Sequence, residues 1–249
     1  MVVGGTTGLG FSAARALVQN GARVVVVGRN PESCARAEND LGENSRALSG
    51  DASDSSTATR AIELAISAFG DFDGLYNVAG GSGRKMGDGP LHEVSDEGIA
   101  ATLELNLTTL IKSNRAAVQA FLSLGKGGSI LNMGSVLGRS PSPNFFATHV
   151  YAATKSAAEG FTKSCAAYYA PHNIRFNLLA PALVETPMAQ RAAQDETILE
   201  FIKTKQPLDG GRIGAPQDLD AAAVFFLSDG SKFCTGQTLF VDGGWMVSG

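Results

Sequence analysis

Cysteine is scarce in this chain, with three residues, Cys34, Cys165 and Cys234, among 249. Three is odd, and the spacing is wide. That fits neither a disulfide framework nor a zinc site. The thiols read as reduced and buried in a cytoplasmic protein that holds no metal. Long hydrophobic runs are also lacking. Val24 to Val27 is strand-sized, and no run approaches the ~20 apolar residues that a membrane span needs. No charge of one sign dominates. Twenty Lys and Arg stand against 24 Asp and Glu, for a net charge of −4, so the electropositive footprint of a nucleic-acid binder is absent. A glycine-rich turn begins at Gly4, where a signal peptide would carry its apolar segment.

Glycine is plentiful, at 30 residues, and it punctuates the chain. Between glycines, short β-branched runs alternate with longer helical patterns. Val24–Val27, Leu75–Val78, Ile130–Met133, Ile174–Leu179 and Thr238–Val241 read as strands. Phe11–Gln19, Thr57–Phe69, Ile99–Leu122, Ala152–Tyr169 and Leu219–Leu227 read as helices. Near-continuous apolar strands are covered on both faces, which indicates a parallel sheet. The expected fold is α/β, a Rossmann-type doubly wound parallel sheet of about seven strands with helices on both faces. No linker or repeat divides residues 1–249, so one domain is expected. Only Met1 to Val3 precede the glycine turn. The first strand is therefore very short, or the natural chain has further residues upstream.

Gly4-Gly5-Thr6-Thr7-Gly8-Leu9-Gly10 follows that strand stub and opens a helix. Glycines permit the tight turn, and the N–H groups of the new helix suit a pyrophosphate. With strand before and helix after, the turn predicts dinucleotide binding rather than a plain bend. The second strand ends in Gly28-Arg29-Asn30, without the acid that would bind a ribose 2′-hydroxyl. A guanidinium there suits a 2′-phosphate. NADP is therefore favoured, with NAD possible; the bland alternative is a solvated surface arginine. Asp51 is placed to meet the adenine amine, or to cap a helix.

Tyr151-Ala152-Ala153-Thr154-Lys155 puts a phenol and an ammonium on one helix face. A nearby ammonium favours phenolate and brings the tyrosine toward neutral-pH proton transfer. At these residues the chain resembles the short-chain dehydrogenase/reductase family, in its single-domain branch. Asn77-Val78-Ala79-Gly80, Asn106, Ser135, Pro181-Ala182, Thr186 and Val241-Asp242-Gly243-Gly244 match further motifs of that family in order. The resemblance implies a catalytic set of Asn106, Ser135, Tyr151 and Lys155. Tyr151 would move a proton at the substrate oxygen and Ser135 would hold that oxygen. Lys155 would bind the nicotinamide ribose, and Asn106 would hold a water beside it. The implied cofactor contacts are Gly4, Thr6, Thr7, Gly8, Leu9, Gly10, Arg29, Asp51, Ala52, Asn77, Ala79, Gly80, Tyr151, Lys155, Pro181, Val184 and Thr186.

The implied activity is NAD(P)-dependent interconversion of a secondary alcohol and a ketone. A catalytically silent dinucleotide sensor and a Rossmann-like methyltransferase are the alternatives. The 16-residue interval from Ser135 to Tyr151 is longer than the family pattern. Its extra residues are expected to loop outward, either with Phe145 or Phe146 lining the substrate pocket or packed on a neighbouring subunit. His149 is a weaker candidate there. Gly80 to Lys85 reads as a solvated loop, with contact of Arg84 or Lys85 to an anionic substrate as the alternative. Pro187 to Arg212 is expected as a mobile substrate lid, hinged at Gly210 and Gly211. Apolar Ala221–Leu227 and Thr238–Val241 suggest a homotetramer. A small-molecule alcohol or ketone is the expected partner, with no nucleic acid and no membrane.

Overall fold

In strand β2 (Val24–Gly28), Val25 and Val27 enter one apolar core, and Val24 and Val26 enter another. This is the two-residue period of a strand covered on both sides. The first core is closed by α3 (Ser55–Phe69) and α5 (Thr109–Ser123), through Ala58, Ala61, Ile62, Ala117 and Phe121. The second is closed by α1 (Gly8–Gln19) and α9 (Asp220–Leu227), through Ala13, Ala14, Ala223 and Phe226. The computed structural model describes residues 1–187 and 189–248; Met188, inside the expected lid, and Gly249 lie outside the described residues.

The remaining strands are β1 (Val2–Val3), β3 (Ser45–Ser49), β4 (Gly74–Asn77), β5 (Gly128–Met133), β6 (Ile174–Pro181) and β7 (Thr238–Val241). They form one parallel sheet in the order β3-β2-β1-β4-β5-β6-β7. The order reverses between β1 and β4. The loops leaving these two strands part there and open a crevice at the carboxyl edge. β1 is only two residues long, yet it is central and fully buried.

Several local expectations are corrected. Residues 99–122 are not one helix. α4 (Asp96–Leu103) runs into a π-helical turn over Glu104–Thr108 before α5. A helix α2 (Pro31–Leu41) also forms where none was expected. Asn30 caps it by accepting the Ser33 N–H at 2.8 Å, and Pro31 occupies its first turn, a strong start signal. The segment 187–212 carries α7 (Gln190–Ala193) and α8 (Glu196–Lys205). Ile198 and Ile202 of α8 are fully buried in a third core with Val136 and Trp245. Of the cysteines, Cys34 is buried, but Cys165 and Cys234 are half-buried; all three are free thiols. Among the described residues no helix is long and apolar enough to cross a membrane. No group of three or more His, Cys, Asp or Glu there is placed to hold a metal.

Candidate active site

β1 ends at Val3 and the chain turns at once into α1. Gly4 makes the turn at φ 81°. A Cβ on Gly10 would stand 2.1 Å from the Gly4 carbonyl oxygen, so helix and strand meet only through glycine. Thr7 precedes α1 in extended conformation and makes no side-chain cap. Gly8 and Leu9 line a cavity of about 840 Å³. Their N–H groups find no acceptor among the described residues. Such a helix start is an anion site.

The same cavity is lined by Gly4, Thr6, Thr7, Arg29, Asp51, Ala52, Ala79, Gly80, Ser135, Tyr151, Lys155, Pro181, Val184 and Thr186. Three predicted residues are not on its wall. Gly10 is buried behind the turn, Asn77 is buried within β4, and Asn106 lies behind Gly81. In the π-helical turn the Asn106 amide accepts the Gly81 N–H and donates to the Gly81 and Thr102 carbonyls, at 2.9, 2.9 and 3.0 Å. A Cβ on Gly80 would lie 2.8 Å from Asn106 Oδ1 and 3.7 Å from Lys155 Nζ. Asn106 and Lys155 thus flank the same glycine.

Tyr151 and Lys155 sit one turn apart on α6 (His149–Tyr169). Lys155 Nζ lies 5.4 Å from the centre of the Tyr151 ring and donates to the Met133 carbonyl at 2.9 Å. Burial lowers the Lys155 pKa to about 8. Tyr151 departs from expectation: burial pushes its phenol above the ordinary value, and the Ser135 hydroxyl beside it offsets this only in part. Desolvation of the phenolate outweighs that hydrogen bond. Ser135 is fixed by accepting the Leu137 N–H at 3.2 Å.

Buried polar contacts hold these elements in register. The Asn114 and Asn132 amides pair reciprocally at 2.9 and 3.0 Å, and Asn132 also donates to Thr162 at 3.1 Å. This ties α5, β5 and α6 together beneath the site. Glu159 of α6 accepts from Arg139 and Lys163, and these cations hold its pKa at about 2.

The segment before α6 does not simply loop outward. Trp245 Nε1 donates to the Ser140 carbonyl at 3.1 Å. Phe146 packs 6.0 Å from Trp245, and both line the cavity. Phe145 turns instead to Phe201, at 5.1 Å. His149 is exposed and off the cavity wall. Arg84 and Lys85 line the cavity, joined by Arg191 of α7 and by Asn30 and Ser33 near Arg29. Arg191 and Trp245 were missed because only the tertiary fold brings them here. Asn30 follows Arg29 in sequence and Ser33 lies in the first turn of the helix it caps, a local signal for both.

The chain matches, over residues 3–246, the model of a protein family described as enoyl-(acyl carrier protein) reductase. It is 36% identical to carbonyl reductase family member 4 of Danio rerio over 245 residues, 98% of this chain and 96% of that protein. The fold superimposes on a short-chain type dehydrogenase/reductase from Mycobacterium ulcerans with a TM-score of 0.90 and 28% identity, covering 99% of this chain and 89% of the other. A 3-ketoacyl-(acyl-carrier-protein) reductase from Brucella melitensis, complexed with NADH, gives a TM-score of 0.86 at 28% identity, covering 99% and 97%.

Proposed function

The chain belongs to the short-chain dehydrogenase/reductase family, and from that premise we propose that it interconverts a secondary alcohol and a ketone, using a nicotinamide dinucleotide. The observation that carries this reading is one cavity wall that gathers Ser135, Tyr151 and Lys155 with the uncapped start of α1. The residues present suit the cofactor. The Gly8 and Leu9 N–H groups are free for a pyrophosphate. Lys155 spends one of its three protons on Met133, which leaves donors for ribose hydroxyls.

A bound nicotinamide supplies or accepts the hydride. Tyr151 donates its proton to the carbonyl oxygen in reduction and takes it back in oxidation. A phenol pushed above its ordinary pKa keeps that proton at neutral pH. Ser135 holds the same oxygen. Lys155 offsets charge on the phenol, and Asn106 holds the Gly81 backbone in place beside it. Leu137, Phe146 and Trp245 give the substrate end an apolar wall. Arg84, Lys85 and Arg191 stand at that cavity with no salt-bridge partner among the described residues. They favour a substrate that joins an apolar body to an anionic group. In the expected lid segment, Ile198 and Ile202 anchor α8 in the third core, so the part placed to cover a substrate is α7, whose Arg191 and Ala192 line the cavity.

The test is a panel of ketones and alcohols, with and without a carboxylate, followed by absorbance of the reduced nicotinamide with both cofactors. Turnover with lower KM for the anionic members is expected. No turnover, or equal KM, contradicts the corresponding part of the reading.

Arg29 directly follows β2, where no acid is present, and is exposed on the cavity wall beside Asn30 and Ser33. This supports NADP over NAD. Arg29→Ala should weaken NADPH binding at least ~10-fold, the scale of one lost charge-assisted pair. It should leave NADH within about twofold. Equal losses measured by titration would remove the argument. Exposed Phe225 of α9, with exposed Phe233 before the edge strand β7 and Leu239 on it, supports self-association, read here as a homotetramer.

A further inference from the structure

Helix α6 lacks a cap of its own. Its preceding residue, Thr148, makes no side-chain bond to the first turn, although threonine is well suited to do so. The orphan donors are met from elsewhere. Val150 N–H donates to Asp88 Oδ1 at 3.1 Å, and Tyr151 N–H donates to Asp88 Oδ2 at 2.8 Å. Asp88 is 63 residues distant from Tyr151 in sequence and only 3% exposed.

The loop that carries Asp88 is itself seated firmly. Asp88 N–H donates to the Gly83 carbonyl at 3.1 Å. A Cβ on Gly83 would stand 2.2 Å from Thr102 Oγ1 of α4, so the loop lies tightly against that helix. Each carboxylate oxygen takes one N–H, and the negative charge sits at the positive end of α6. Thr148 is released from capping; it is buried and lines the cavity, one turn before Tyr151.

We infer that Asp88 is a positioning residue for Tyr151: it caps α6 in place of Thr148, fixes the backbone from which the phenol projects, and couples that backbone to the Arg84–Lys85 loop. This rests on the reading of Tyr151 as the proton-transfer group. It also predicts more than a stability role. A cap that served only stability would, when removed, reduce the amount of folded enzyme in proportion whatever residue stood at 151.

The test uses Asp88→Ala and Asp88→Asn, each alone and with Tyr151→Phe, assayed on the best ketone of the panel. Misplacing a reacting group by about an ångström costs up to ~10²-fold. Asp88→Ala should therefore lower kcat about 10- to 100-fold while the fluorescence Kd for reduced cofactor stays within about twofold. Asp88→Asn keeps one acceptor oxygen in place and should fall between wild type and Asp88→Ala. In the Tyr151→Phe background either change should cost less than about twofold more, because the group being positioned is gone. Wild-type kcat in Asp88→Ala, or the same fold-loss in both backgrounds, overturns the inference. If Asp88→Ala does not fold, Asp88→Asn carries the same comparison. A Tyr151→Phe enzyme with full activity overturns the reading of Tyr151 and this inference with it. A slow Tyr151→Phe beside a normal Asp88→Ala overturns the inference alone.

Discussion

Tyr151→Phe is expected to lower turnover at least ~10²-fold, the scale of a lost general acid. The change removes one oxygen and keeps the ring, so the packing of α6 against β6 and the 5.4 Å approach of Lys155 to the ring should persist. Cofactor affinity should hold within about twofold, because most of the cavity wall that would meet the dinucleotide lies outside residue 151. The loss should therefore fall in kcat, as expected when an interaction made in the transition state is removed. Rate assays paired with a fluorescence titration check both halves. Full activity in the variant contradicts the assignment.

Lys155→Met should show two effects of opposite direction. Activity should fall at least ~10²-fold, because the ammonium beside the phenol and its donors toward the ribose are lost. The protein without cofactor should nevertheless become more stable at pH 7. Lys155 is buried, and its pKa falls from the ordinary 10.5 to about 8. Between those values the unfolded chain binds a proton that the folded chain does not, so the wild type gains stability as pH rises from about 8 to 10.5. Below about 8 the full cost of the buried ammonium is present. At about 1.4 kcal/mol per pH unit this cost is bounded by about 3–4 kcal/mol. The lost hydrogen bond from the ammonium to Met133 takes back roughly 1.5–3 kcal/mol. A net gain of about 1 kcal/mol is expected at pH 7, shrinking toward pH 10. Thermal unfolding across that range measures it, and a variant less stable than wild type at pH 7 contradicts the account of Lys155 as a strained, preplaced cation.

The parts of this site that the sequence reveals are those in which chemistry and local structure share one short segment. The glycine turn, the valines of β2 and the Tyr151–Lys155 pair are of this kind. α2 is equally local in its Asn30-Pro31 start. β3 was hidden for a physical reason. It is an edge strand with only Ser45 buried, so it shows no apolar run. The π-helical turn at Glu104–Thr108 inserts an offset that a continuous helical pattern does not show, and it turns the Asn106 amide into Gly81. Asn77 was expected at the cofactor, yet the sheet register pairs it with Val3 and buries it in β4. The apolar wall from Trp245, the burial of α8 and the capping of α6 by Asp88 join residues far apart in sequence.

The central claim is that this cavity binds a nicotinamide dinucleotide against the Tyr151–Lys155 helix. Titration of the wild-type protein with NADPH and with NADH, followed by nicotinamide fluorescence, tests it without requiring a known substrate. The account predicts saturable binding of one nucleotide per chain, tighter for NADPH. A protein that leaves both fluorescence signals unchanged at millimolar nucleotide contradicts it.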